Sequence, residues 1–289
     1  NTGAPVNAWA TVGVPWSIVV DSSGIVSVLV SNESLLDIER YDVLGNVQAT
    51  WNTGLVTEQY GMYGGYWTCS GGERLAVDAA GNVYLIGNCS NDGVLVYAPD
   101  GSSAAMPGGS WSGSRDLAVA GDGSLYALGT FIDLTGGLEG IVTFSPAGEV
   151  LAVWGPLFYS AHGLAVDAEG TVYVGDTGGS RIRVVDATGS IVRDIPESAR
   201  SLYADHAGAL YVTAGSLRKL TNTGDWLSDW MLPNLGSSSS VSGDGSGAVW
   251  VADGSNAQVH RFTPEGALIR TLGTQDVSNG LGTFKIVWW

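Results

Sequence analysis

Six side chains share one register in this sequence. Trp16, Glu73, Arg115, His162, Arg200 and Ser239 each stand two positions ahead of the apolar residue that leads a short hydrophobic run: Ile18, Leu75, Leu117, Leu164, Leu202 and Val241. If the fold gathers them, a carboxylate, two guanidinium groups, an imidazole and an indole face a common space. Convergent groups of this kind bind a polar ligand or move a proton. The plainer alternative is a solvated rim whose charges pair with one another. Asp116 adjoins Arg115, so an enzyme built here would use Glu73, Asp116 and His162, with calcium held through oxygen ligands.

Other chemistry is sparse. His206 falls in a turn and His260 inside an apolar strand, so the three histidines lie at different levels and cannot converge on one ion. No G-x-S-x-G nucleophile motif occurs. GDGSG at 243–247 precedes no helix, so it reads as a hairpin rather than a phosphate loop. Asn52 to Gly72 breaks the regular spacing and carries Tyr60, Met62, Tyr63, Tyr66 and Trp67 between glycines. Tyr63, Tyr66 and Trp67 are candidates for a recognition surface, because aromatic side chains give large contact area at low entropic cost. The competing reading is a loop that buries its own aromatics. A second long loop, Thr130 to Gly140, brings Asp133 and Glu139.

The elements that position these residues repeat. Gly24, Gly81, Gly123, Gly170, Gly208 and Gly247 are each followed, 16 to 25 residues on, by Gly45, Gly101, Gly148, Gly189, Gly224 and Gly266. An Asp lies three residues before each first glycine, except at Ala120. D-x-x-G makes a tight hairpin, because the carboxylate bonds nearby N–H groups and glycine takes positive φ. An aromatic residue lies three positions after it, at Tyr84, Tyr126, Tyr173, Tyr211 and Trp250, with Ser27 the exception. A bulky residue ends a fourth strand six positions after the second glycine: Trp51, Trp154, Ile195, Trp230 or Leu272, but Pro107 in the second unit. Four antiparallel strands per unit make a sheet with two apolar faces, and packing such sheets radially buries both. The expected fold is therefore all-β, a six-bladed β-propeller with units at about 14–51, 73–111, 114–154, 161–195, 199–230 and 238–273, forming one domain over 1–289. In that fold the six register-sharing side chains ring the mouth of the central channel.

The segments GLAVDAEGTVYVGDTGGSRIRVVDATG and VWVADGSNAQVHRFTPEG resemble NHL repeats. The resemblance extends over most of the chain and is clearest in units two, four and six. It implies a propeller and leaves activity open, because the family includes enzymes, ligand-binding modules and scaffolds. It also implies structural roles for Asp176, Arg181 and Asp253, bonding the loop or a neighbouring blade. The zinc-binding histidines of some NHL-like lyases have one counterpart here, His162. Calcium, as in gluconolactonase-like propellers, is left as an alternative cofactor, and none is expected in the leading reading.

A net charge of −16 with only two lysines, Lys219 and Lys285, argues against nucleic acid and anionic membrane surfaces. No apolar run is long enough to insert in a membrane as a helix. Cys69 precedes the first strand of unit two and Cys89 follows its second, so both fall at one end of a hairpin within disulfide reach. A disulfide, high acidity and a start without a leader point to a secreted or cell-surface protein.

The ends add strands to a ring that is already full. Residues 6–13 and 284–289 read as an extra strand each. Three arrangements are open: the first replaces or extends the outer strand of unit six, the two form a partial seventh blade, or an end pairs with another molecule. Closure within one molecule is the expectation. A full fold signature without a catalytic constellation makes a binding or scaffolding module for a protein or glycan partner the leading expectation, with self-association through the terminal strands as one form of it. The alternative is a calcium-dependent lactonase, an esterase-like hydrolase or a lyase.

Overall fold

The computed structural model describes residues 9–10, 14–32, 35–56, 73–87, 93–106, 111–131, 139–155, 158–230, 235, 239–256, 258–272 and 285–286. Six four-stranded antiparallel sheets follow one another along the chain, each in simple up-and-down order. Blade one comprises Val14–Val20, Val26–Asn32, Leu35–Tyr41 and Val47–Val56; blade two Arg74–Val77, Val83–Ile86, Val94–Tyr97 and Ser103–Ala105. Blade three comprises Trp111–Val119, Leu125–Phe131, Glu139–Phe144 and Val150–Trp154; blade four Ala161–Val166, Val172–Asp176, Arg181–Val185 and Ile191–Ile195. Blade five comprises Ser201–Ala204, Ala209–Thr213, Leu217–Thr221 and Trp226–Trp230; blade six Ser240–Gly243, Val249–Asp253, Gln258–Phe262 and Leu268–Leu272. The expected six-bladed propeller is the observed fold.

The D-x-x-G turns are held as their composition requires. Asp167 Oδ1 accepts the N–H groups of Glu169 and Thr171 at 3.1 and 2.8 Å, and Gly170 takes φ of +81°. The second oxygen, Oδ2, accepts the Tyr173 hydroxyl at 2.9 Å, so the Asp and the aromatic residue six positions on form one device. The same pair recurs as Asp78 with Tyr84, Asp205 with Tyr211 and Asp244 with the Trp250 indole. Blade one has Ser27 in the aromatic position, and Arg40 supplies the missing donor to Asp21 at 3.3 Å.

Side chains alternate between the two faces of each sheet, and every face meets a neighbour. Leu29, Ile38 and Trp51 of blade one pack with Leu75, Leu85 and Tyr97 of blade two. On its other face Val26, Val28 and Tyr41 meet Trp250, Ala252 and Val259 of blade six, so the first and last blades close the ring by packing on each other. At the rim, the bulky end of one outer strand sits beneath the second glycine of the next blade. A Cβ on Gly189 would lie 2.5 Å from the Trp154 ring, and one on Gly266 2.5 Å from Trp230.

The terminal strands join no blade. Trp9–Ala10 pairs antiparallel with Lys285–Ile286 as a separate two-stranded sheet. Among the described residues the two ends thus pair within one molecule as a small extra sheet, the second of the three arrangements, rather than by adding the N-terminal strand to blade six, whose fourth strand is Leu268–Leu272. Of the aromatic insertion, Tyr60, Met62, Tyr63, Tyr66 and Trp67 lie outside the described residues, as do Cys69, Cys89 and Asp133.

Candidate functional site

The innermost strands surround a central cavity of about 390 Å³, which reaches the D-x-x-G turns at Asp21, Asp78, Asp167 and Asp244; Arg115, His162 and Arg200 stand at the opposite end and do not line it. Each innermost strand is paired on one side only, so its channel-side backbone and its neighbours need other partners. Side chains at one register supply them across blade boundaries. Ser17 Oγ accepts the Leu75 N–H at 3.0 Å, Asp116 Oδ2 accepts that of Leu164 at 2.8 Å, and Ser201 Oγ accepts that of Val241 at 3.2 Å. Asp116 is buried, and its other oxygen accepts the Leu117 N–H at 2.9 Å. Burial pushes its carboxyl up to about 7, opposed by the charge of Arg74 and by the two N–H donors. Glu73 is fully buried at the entry to blade two, and Arg74 donates to its carbonyl.

One position further toward the rim, the first strands of blades one, three and four carry a β-bulge. The register slips between Pro15 and Ser17, between Ser114 and Asp116, and between Ala161 and Gly163. The bulged residues are Trp16, Arg115 and His162. A bulge re-aims a side chain out of the pleat, and this is how half of the expected ring leaves its strands. Trp16 turns onto the blade one–two core beside Val19 and Leu75. Ser239 is buried at the entry to blade six. The described part of the ring accessible at the mouth is therefore Arg115, His162 and Arg200, on blades three, four and five.

These three act on one another. The charges of Arg115 and Arg200 both bear on His162, as does Glu139. Glu139 leads the third strand of blade three; its Oε1 lies 3.2 Å from Arg115, and its Oε2 accepts the Ala161 N–H at 3.0 Å. Arg200 is exposed, and among the described residues it has no ion-pair partner. His162 Nδ1 lies 2.8 Å from the Ser160 carbonyl and 3.0 Å from Thr177 Oγ1. Thr177 donates its own hydroxyl to the same carbonyl at 2.5 Å. A carbonyl only accepts, so Nδ1 carries the proton and Nε2 presents a lone pair. Burial lowers the imidazole pKa, reinforced by the two arginines, so the ring is neutral at pH 7.

The loop beneath His162 is held from blade four's motif. Asp176 is fully buried and accepts Arg181 Nε at 3.2 Å, Arg183 Nε at 3.0 Å and the Tyr159 N–H at 2.8 Å. Tyr159 in turn accepts the Gly178 N–H on its carbonyl, and a Cβ at Gly178 would fall 2.3 Å from the Tyr159 ring. The Tyr159 side chain is 77% exposed, and Ser160 has a φ of +59°. A non-glycine residue in that region marks a loop fixed by its surroundings. Asp176 and Arg181 thus have the loop-holding role expected of them. Tyr159, Thr177 and the pairing role of Glu139 were not foreseen; the signal available was the proximity of Tyr159 to His162 and of Thr177 to the motif Asp. Asp253 holds its own loop through Ser255 and Asn256. His206 is exposed in its turn and His260 is buried in a third strand, 2.9 Å from Thr271 Oγ1. Among the described residues, no three His, Cys, Asp or Glu side chains come together as a metal-binding group.

The geometry defines a six-bladed β-propeller with a polar, partly cationic mouth. Within that class, residues 158–185, most of blade four, match the NHL repeat model. A search of curated protein sequences gives no match. Among solved structures, the chain resembles a streptogramin B lyase at 13% identity, covering 92% of this chain and 86% of that one, with a TM-score of 0.62. It resembles a catalytically inactive virginiamycin B lyase variant from Staphylococcus aureus, solved with quinupristin, at 12% identity, 94% and 90% coverage and a TM-score of 0.61. A gluconolactonase from Xanthomonas campestris gives 16% identity, 84% coverage of both chains and a TM-score of 0.61. At these identities the likeness is one of fold.

Proposed function

We propose that the protein is a secreted binding module that takes its partner at the channel mouth over blades three to five. The observation that carries this reading is that exposed Arg115 and Arg200 stand close enough to a neutral His162 for both charges to act on it. The protein has 12 Lys and Arg against 28 Asp and Glu, so two arginines beside one carboxylate are a local reversal of charge. Among the described residues Arg200 has no anion to satisfy it, and His162 Nε2 offers an acceptor. Such a set positions a ligand without supplying a nucleophile. The test is thermal unfolding against a panel of carboxylates, sugars and acidic peptides. A ligand that binds only the folded state stabilises it by about 2.7 kcal/mol at a hundredfold excess over Kd. Stabilisation that disappears in Arg200→Ala supports the reading. Stabilisation that survives in an Arg115→Ala/Arg200→Ala protein places binding elsewhere.

A second reading, a calcium-dependent lactonase, an esterase-like hydrolase or a lyase, draws on one observation: Asp116, with a carboxyl pushed up to about 7, lines the channel below the mouth. The lyases and the gluconolactonase share this fold. Unfolding measured with EDTA and then with added calcium separates the two. A calcium-dependent rise in Tm that Glu73→Ala or Asp116→Asn removes favours the enzyme.

A further inference from the structure

The nature of the ligand at this mouth follows from four side chains taken together, and rests on the binding reading above. Arg115 is 41% exposed although paired with Glu139, and Arg200 is exposed with no ion-pair partner among the described residues. With His162 neutral, the described charges Arg115, Arg200 and Glu139 sum to one positive charge. One carboxylate from a ligand neutralises it, and the planar guanidinium fork matches that group. Three residues from His162 the Tyr159 ring stands 77% exposed. Its backbone is fixed on both sides, by Asp176 at the N–H and by Gly178 at the carbonyl, so the ring is a pre-set platform rather than a loose side chain. An exposed, rigidly carried phenol is suited to the apolar face of a pyranose. His162 Nε2 and the phenol hydroxyl add an acceptor and a donor for sugar hydroxyls. We infer that the mouth binds a uronate-bearing oligosaccharide, its ring on Tyr159 and its carboxylate on Arg200 and Arg115.

The test is calorimetric titration of the full chain with a four-residue oligogalacturonide, its fully methyl-esterified form and a glutamate-rich peptide of equal charge. The oligogalacturonide is expected to bind and its methyl ester to bind at least tenfold more weakly. Arg200→Ala and Tyr159→Ala each weaken the oligogalacturonide at least tenfold, while Tyr159→Phe retains most affinity. Arg193→Ala, which removes an equal charge from the exposed outer strand of blade four, leaves binding unchanged. Equal binding of ester and acid overturns the carboxylate assignment. Binding of the peptide but not of the sugar, with Tyr159→Ala unchanged, overturns the sugar and leaves the mouth a binding site. No titration with any of the three overturns both.

Discussion

Asp167 illustrates how much one side chain settles here. Its two oxygens accept two backbone N–H groups of a partly exposed turn and the hydroxyl of buried Tyr173. Removing the acceptor leaves the buried Tyr173 donor unmatched, at about 1–3 kcal/mol. Asp167→Ala is therefore expected to lower stability by about 2 kcal/mol in urea unfolding, and the same change at Ala120's position in blade three has nothing to remove. Titration of buried groups gives a second expectation. Burial pushes Glu39 up to about 7, against the bond from Tyr41 and with the help of Asp37. A carboxyl raised on folding favours the native state fully below its ordinary range and loses that contribution as pH rises through about 7. Glu39→Gln is expected to raise Tm at pH 8 relative to wild type and to leave it nearly unchanged at pH 4. His162 and His260 act in the opposite sense: burial lowers both, so their contribution is present above the ordinary histidine pKa and falls away as pH drops below it. A Glu39→Gln gain that is the same at both pH values would show that the carboxyl titrates normally.

At the scale of elements, the blades are locked to one another by contacts that a sequence shows only as separate signals. The second glycine and the bulky residue six positions later are both visible as repeats. That Gly189 belongs beneath Trp154 of the preceding blade is not, because the pairing crosses from one unit to the next. The same holds for Asp78 with Tyr84: each was legible, their bond was not. The bulges at Arg115 and His162 depend on the register of two strands, which composition does not fix, so the ring was read as six equivalent positions when three were buried or turned into a core. Gly175 shows the tolerance at these boundaries. A Cβ there would sit 2.2 Å from the Ala199 carbonyl. Gly175→Ala is expected to force blades four and five apart and to lower stability by about 2 kcal/mol or more in chemical unfolding, whereas Gly170→Ala, with open space around it but a φ of +81°, costs about 1 kcal/mol.

For the whole molecule, the balance of charge matters at two ranges. The net −16 acts through solvent, where it is screened beyond about 8 Å at physiological salt. Arg115 and Arg200 act at contact, where a single pair in a partly dry setting interacts by about 4 kcal/mol before desolvation. On the proposed reading, this contact attraction is what lets an acidic protein take an anion at its mouth. Closure is also a property of the whole. Since among the described residues the terminal strands pair with each other, over two residues, and join no blade, removing residues 1–13 is expected to lower Tm by only a few degrees and to keep unfolding cooperative. Loss of cooperative unfolding in that truncation would show that the N-terminal segment holds the ring shut.

Ring closure without a shared strand also has a bearing on synthesis. Every blade is a contiguous stretch of chain, so each sheet is able to assemble as it emerges from the ribosome and dock on the one before it. The first blade alone has no predecessor. Its face of Ile18, Val26, Val28 and Val30 waits through the translation of five more blades before Trp250 and Val259 cover it. The most aggregation-prone species of this protein is then neither the native ring nor the unfolded chain, but an arc of five finished blades with both greasy ends still uncapped.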